Sequence, residues 1–223
     1  MRDKFFLIVG GVALVLALLI FGYFLLIKIG GNEAKLWIEN CWQAIRLTLI
    51  NNGPLLFLAI AILPGLVLPV APLLGLAGVW GGENGPWLSC FYCTISLFAN
   101  LCWTYWLAKG PARGILQKFL TKSRFKLPES PPKNMLEWAL ILRLTPGVPF
   151  IFTNYGLGLI GMSFTSYLAV SIPVLAFTGC GYVLAFAGIF GGGWQYLWAG
   201  ACIIAITIIL GRFVLKRKPK HAD

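Results

Sequence analysis

The sequence predicts an all-α integral membrane protein. The expected architecture is an inverted repeat of two re-entrant helical hairpins, each followed by a transmembrane helix, plus N- and C-terminal transmembrane helices and an interfacial amphipathic helix. Three observations carry this prediction. The 223 residues are 59% hydrophobic and only 11% charged, whereas soluble domains run about 25% charged. Two apolar stretches are interrupted by prolines and glycines, at 63–69 (LPGLVLP) and 144–150 (LTPGVPF). The basic residues behind the net charge of +11 sit in short flanks of apolar runs: Arg2 and Lys4, Lys109 to Lys133, and Arg212 to Lys220. That placement follows the positive-inside rule, with some attraction to anionic lipid, and argues against nucleic acid as a partner.

Residues 5–29 are apolar and exceed the roughly 20 residues a bilayer requires. Without a small-x-small cleavage site they read as an uncleaved signal anchor within residues 1–31. In residues 32–52, Ile38, Trp42, Ile45 and Leu49 form a helical stripe, while Lys35, Glu39, Gln43 and Arg46 lie largely elsewhere. That pattern suits a helix lying in the membrane interface.

Residues 53–190 form the predicted membrane domain. Its first broken stretch, about 53–81, contains Pro64, Gly65, Pro69 and Gly75, and residues 87–108 follow as a span. Residues 109–133 are basic and proline-rich and read as a loop. The second broken stretch, about 135–161, contains Pro146, Gly147 and Pro149, with a span at 166–190. Residues 191–223 supply a glycine turn, a last span at 195–215 and a basic tail.

Charge counting chooses the topology. Loop 109–133 holds seven basic residues against one acid. If all six apolar segments crossed, this loop would face the side opposite both basic ends. Making one segment non-spanning strands the tail instead. Making both proline-broken segments re-entrant puts all three basic regions on the cytoplasmic side. Proline chemistry selects the same two segments, because each proline removes a backbone donor where water cannot replace it. The two halves then have opposite topology, the arrangement that places a site between broken helices near the midplane.

One residue in those segments stands out. Arg143 lies in an apolar run immediately before Pro146, Gly147 and Pro149. A charge in hydrocarbon costs several kcal/mol (~2.5–3.5 on insertion scales), so it requires a partner or a wet cavity. The alternative is an interfacial arginine snorkelling to headgroups. Measured from an entry near Asn134, Arg143 lies ~13 Å deep at ~1.5 Å per residue, near the centre of a ~30 Å core. There it can hold a phosphate bidentately, with free N–H groups of the returning half-helix aimed at the same place. Thr145 and Asn154 are candidates for neutral hydrogen bonds, and Asn154 serves equally well to satisfy the opposite hairpin's backbone. Tyr155 reads as packing.

Other chemistry is thinly represented. Six cysteines (Cys41, Cys90, Cys93, Cys102, Cys180, Cys202) sit in or beside apolar segments, and Cys90-Phe-Tyr-Cys93 lacks a βαβ context, so they read as small apolar residues. The single histidine, His221, is in the tail, and neither HExxH nor an intramembrane aspartate pair occurs. The chain is therefore expected to be no enzyme and to need no metal or cofactor.

Arg143, Pro146, Pro149, Asn154 and Tyr155, followed by GLGLIGMSFTSYLAV, resemble the DedA / SNARE-associated Golgi protein family, or VTT domain. The chain is closer to the branch with eukaryotic members than to the branch of DedA itself. The first half, LPGLVLPVAPLLGLAGVWGGENG and the span into YWLAKGPARG, is similar to that family's first hairpin and helix, for coverage of about 55–190. The resemblance implies lipid movement between leaflets, by scrambling or by recycling a polyprenyl phosphate carrier. The implied partners are membrane lipids with phosphate headgroups, bound around Arg143, Thr145, Pro146, Gly147, Pro149 and Asn154. A structural or assembly role without transport is the competing reading. Proton-coupled members of the DedA branch carry an acid just after the first Pro-Gly, where this chain has Leu66. Glu83 and Glu137 are the remaining titrating candidates, each also readable as a solvated or ion-paired surface group. The expected location is a bacterial inner membrane, multi-pass with both termini cytoplasmic, and a homo-oligomer is compatible with the pattern.

Overall fold

The computed structural model describes residues 31, 33, 36–37, 39–41, 43–66, 68–110, 112–116, 134–145 and 148–216. The expected N-terminal span at 5–29, most of the basic loop and the end of the tail lie outside them. Among the described residues all regular structure is helical. Residues up to Asn51 form a unit of their own, with residues 43–51 helical. Ile45 and Leu49 of the expected stripe fall on that helix, while Ile38 and Trp42 lie outside the described residues.

The described residues of the second unit, from Asn52 onward, form the helices α1 (Gly53–Leu66), α2 (Val70–Asn84), α3 (Pro86–Lys109), α4 (Met135–Leu144), α5 (Phe150–Leu159), α6 (Phe164–Gly191) and α7 (Trp194–Lys216). Two of them, over Phe164–Gly191 and Trp194–Phe213, are long and apolar enough to cross a membrane. The glycine turn between them is where the sequence puts it, with Gly192 in the left-handed region at φ 74°. The expected span at 87–108 forms the 24-residue α3, about 36 Å long. It is less apolar than the other two because Ser89, Ser96, Asn100 and Thr104 are buried along it.

The four helices of the broken segments are short. α1 and α2 have 14 and 15 residues, and α4 and α5 have 10 each, giving lengths of roughly 15–22 Å against a ~30 Å hydrocarbon core. Each broken segment begins with an asparagine cap: Leu55 N–H donates to Asn52 Oδ1 at 3.1 Å, and Glu137 N–H to Asn134 Oδ1 at 3.3 Å. Each resumes after its break behind a proline of nearly identical conformation, Pro69 (φ −65°, ψ 137°) and Pro149 (φ −60°, ψ 139°). Proline suits that position because the first N–H groups of a helix have no partner in any case.

Packing folds the first segment back on itself. A Cβ on Gly53, at the start of α1, would lie 3.0 Å from Trp80 near the end of α2, and the Phe57 and Trp80 rings meet edge-on at 5.1 Å. In the second segment Ala139 and Leu157 share one buried cluster with Leu101, Tyr105, Met162 and Tyr167. The returning helix of each segment packs on the long helix of the other half, α2 on α6 and α5 on α3. Both crossings are close. A Cβ on Gly78 would sit 2.5 Å from Phe186, and one on Gly158 would sit 2.9 Å from Ala108. The end of α2 lies against the end of α6, where Gly82 meets Gly191. Tyr105 donates to the Met162 carbonyl at 2.7 Å and Arg113 to the Leu159 carbonyl at 3.4 Å. These bonds gather the ends of α3 and α5 at the start of α6. The two broken segments therefore open toward opposite ends of the domain.

Candidate functional site

Both breaks face one cavity of ≈ 430 Å³. Leu68, Pro69, Val70 and Ala71 line it from the first break, and Val148, Pro149, Phe150, Ile151 and Thr153 from the second. Leu175 and Tyr182 of α6 close it, and Arg143 is the one charged residue in the lining. Its wall is otherwise mainly apolar, with Thr153 and Tyr182 as the other polar side chains.

Arg143 lies in the last turn of α4, where the partial negative charge of the helix C-terminus favours a cation. Its Nη1 donates to Asn154 Oδ1 at 2.7 Å and to Thr153 Oγ1 at 3.0 Å, and its Nε donates to Ser171 Oγ at 3.1 Å. The guanidinium carbon lies 5.8 Å from the Phe150 ring centre and 5.6 Å from that of Tyr167, within cation–π range. The Nη2 atom is buried and makes no hydrogen bond of good geometry, and neither does the Tyr167 hydroxyl, which lies beside the guanidinium. An arginine carries five N–H donors. Three point at neutral oxygens, the two on Nη2 make no hydrogen bond, and among the described residues no carboxylate pairs with the charge. The N-terminus of α5 starts at Phe150 on the same cavity and adds partial positive charge.

A chain of side chains leads from Arg143 to the other half. Asn154 Nδ2 donates to Asn100 Oδ1 at 3.0 Å, and Asn100 Nδ2 donates to the Ala61 carbonyl at 2.8 Å. Trp103 Nε1 reaches the same carbonyl at 2.8 Å. Tyr155 Oη donates to the Gly65 carbonyl at 2.6 Å. The last turn of a helix leaves carbonyls without intrahelical partners, and they need donors wherever water is excluded. Here α5 supplies one to Gly65, while α3 supplies two to Ala61, a turn earlier.

The residues singled out from the sequence are thus divided. Arg143, Pro149 and Pro69 line the cavity, and Asn154 is fully buried beside it. Thr145 turns its hydroxyl back to the Ile141 carbonyl at 2.6 Å and does not line the cavity. Pro146 and Gly147 lie outside the described residues. Pro64 and Gly65 are buried at the end of α1, and Gly75 is buried where α2 meets Phe186. Glu83 is exposed at the end of α2. Glu137 closes the N-terminal cap of α4, its carboxylate accepting from Asn134 Nδ2 at 3.1 Å. Sequence reasoning passed over Asn100, Thr153, Tyr167 and Ser171, and read Tyr155 as packing although it is also a donor. Asn100 carried a usable signal, being a lone amide within an apolar run.

Paired broken helices, a lone arginine between them and two long apolar helices define an integral membrane protein with an internal polar site. The chain matches the model of the VTT domain over residues 68–187 and belongs to that family, the domain of the DedA / SNARE-associated Golgi proteins. The match begins at the first break, so α1 lies outside it, later than the start near 55 expected from the sequence. No curated protein and no solved structure matches the chain.

Proposed function

We propose that this protein moves lipids with phosphate headgroups between the leaflets of a membrane, the headgroup passing Arg143 while the acyl or prenyl tails stay in lipid. One observation carries the reading: a cation whose Nη2 group is buried without a hydrogen bond lines a cavity between two chain breaks, and no acid among the described residues lines the cavity beside it. The positive end of α5 adds to it, so a phosphate would meet two convergent sources of positive charge. Lipid as the cargo is what the resemblance to this family suggests. In this reading both broken segments are re-entrant, the described membrane helices belong to a multi-pass bundle, and both termini face the cytoplasm, in a bacterial inner membrane.

A second reading has an observation of its own. Three of the five donors of Arg143 are already used inside the fold, which is how a structural arginine holding two halves together would behave. Liposomes reporting leaflet exchange of phosphate lipids with several headgroups separate the two. Exchange well above that of protein-free vesicles supports transport. A rate equal to theirs supports the structural role.

A further inference from the structure

We infer that Asn100 is a positioning residue for Arg143, acting through a two-amide relay whose direction is set by the backbone of the opposite hairpin. The inference rests on the reading of Arg143 as an anion site.

Pro64 lies inside α1 and supplies no N–H to the Ile60 carbonyl four residues before it, next to Ala61. The Ala61 carbonyl takes two side-chain donors from α3, Asn100 Nδ2 and Trp103 Nε1, both at 2.8 Å. A carbonyl can only accept, so the Asn100 amide must present its NH2 to Ala61 and its oxygen the other way. That oxygen accepts from Asn154 Nδ2 at 3.0 Å, which fixes Asn154 in turn. The Asn154 oxygen is then left facing Arg143, where it accepts from Nη1 at 2.7 Å, the shortest bond the guanidinium makes.

Both asparagines are fully buried, so no water replaces a lost partner. If the Asn100 oxygen is removed, the Asn154 amide loses the acceptor that orients it and can turn its NH2 toward a cation. Arg143 would then lose its best anchor, and the direction of its two spare donors would no longer be fixed. The Ala61 carbonyl of the first broken segment thus sets the aim of the cation in the second, through one residue on α3.

The test is binding of glycerol 3-phosphate to the full chain in lipid nanodiscs by calorimetry, with melting temperature measured on the same samples. Asn100→Leu is expected to weaken binding roughly tenfold or more, the loss of one well-placed charge-assisted contact. Trp103→Phe is the control, because it removes the other donor from the same carbonyl without touching the relay. It is expected to lower the melting temperature while leaving affinity within about twofold, well short of the tenfold that one such contact is worth. Where Asn100→Leu does not fold, Asn100→Ser, too short to bridge both partners, takes its place with the same expected loss. Wild-type affinity in either Asn100 variant, or an equal loss in Trp103→Phe, overturns the relay. If the wild type shows no binding that depends on Arg143, the anion-site reading fails, and the relay with it.

Discussion

Tyr155 and Gly65 are joined by a 2.6 Å hydrogen bond, from the phenol of one on α5 to the backbone carbonyl of the other at the end of α1. The bond spans 90 positions of sequence and meets a carbonyl that helix geometry leaves without a partner. Tyr155→Phe keeps the ring and removes the donor. It should cost about 1–3 kcal/mol, the price of an unsatisfied buried acceptor. Thermal unfolding in nanodiscs checks this, and an unchanged melting temperature would show that another donor serves the carbonyl.

The same carbonyl belongs to a glycine with no room to spare. A Cβ on Gly65 would overlap the Trp103 ring and come within 2.6 Å of the Thr104 methyl. At Gly75 the nearest atom, on Phe186, would be 3.4 Å away, an ordinary contact. Gly65→Ala should therefore destabilise by about 1–3 kcal/mol or more through overpacking, while Gly75→Ala should stay within about 1 kcal/mol. Comparing the yield of folded protein and the melting temperature of the two variants tests the ordering.

The sidedness of the hairpins follows from charge and is open to labelling. In a background lacking the six native cysteines, single cysteines near residue 52 and near residue 84 should react with an impermeant maleimide from the same, outer face. Labelling from opposite faces would mean that residues 53–81 cross the membrane.

Transport should not require a proton gradient. Neither Glu83 nor Glu137 lines the cavity, and Glu137 serves as a helix cap. Translocation in liposomes should be similar with and without an imposed pH difference, and Glu83→Gln and Glu137→Gln should both transport normally. A gradient dependence abolished by either substitution would reverse this assignment.

Much of the fold was legible because its signals are local. The break before Phe150 and the turn at 191–193 fall where prolines and glycines put them, although α1 runs through Pro64 and Gly65 to Leu66 and α6 through Pro173, and the last two helices follow from long, mainly apolar stretches. Arg143 was legible for the same reason, as a charge among apolar neighbours. Its surroundings were not. Thr153, Ser171 and Tyr167 are ordinary residues for a membrane helix, and only packing brings α4, α5 and α6 together around the guanidinium. Asn154 left two roles open in the sequence, and it fills a version of both. It accepts from Arg143 and, through Asn100, serves the opposite backbone. That second step depends on a helix lying between the two in space, which no spacing within residues 142–158 encodes.

The most direct test of the account is the rate of phospholipid exchange by purified Arg143→Ala in liposomes, with the melting temperature of the same preparation. An arginine that meets phosphate at the barrier predicts a rate about ten- to a hundredfold below wild type, the equivalent of ~1.5–3 kcal/mol, in protein that still folds and inserts. Arg143→Lys should retain part of the rate, since an ammonium keeps the charge without the planar fork. Wild-type exchange by folded Arg143→Ala, or a collapse of stability with no loss of exchange per folded molecule, would contradict the claim that this residue carries the headgroup across.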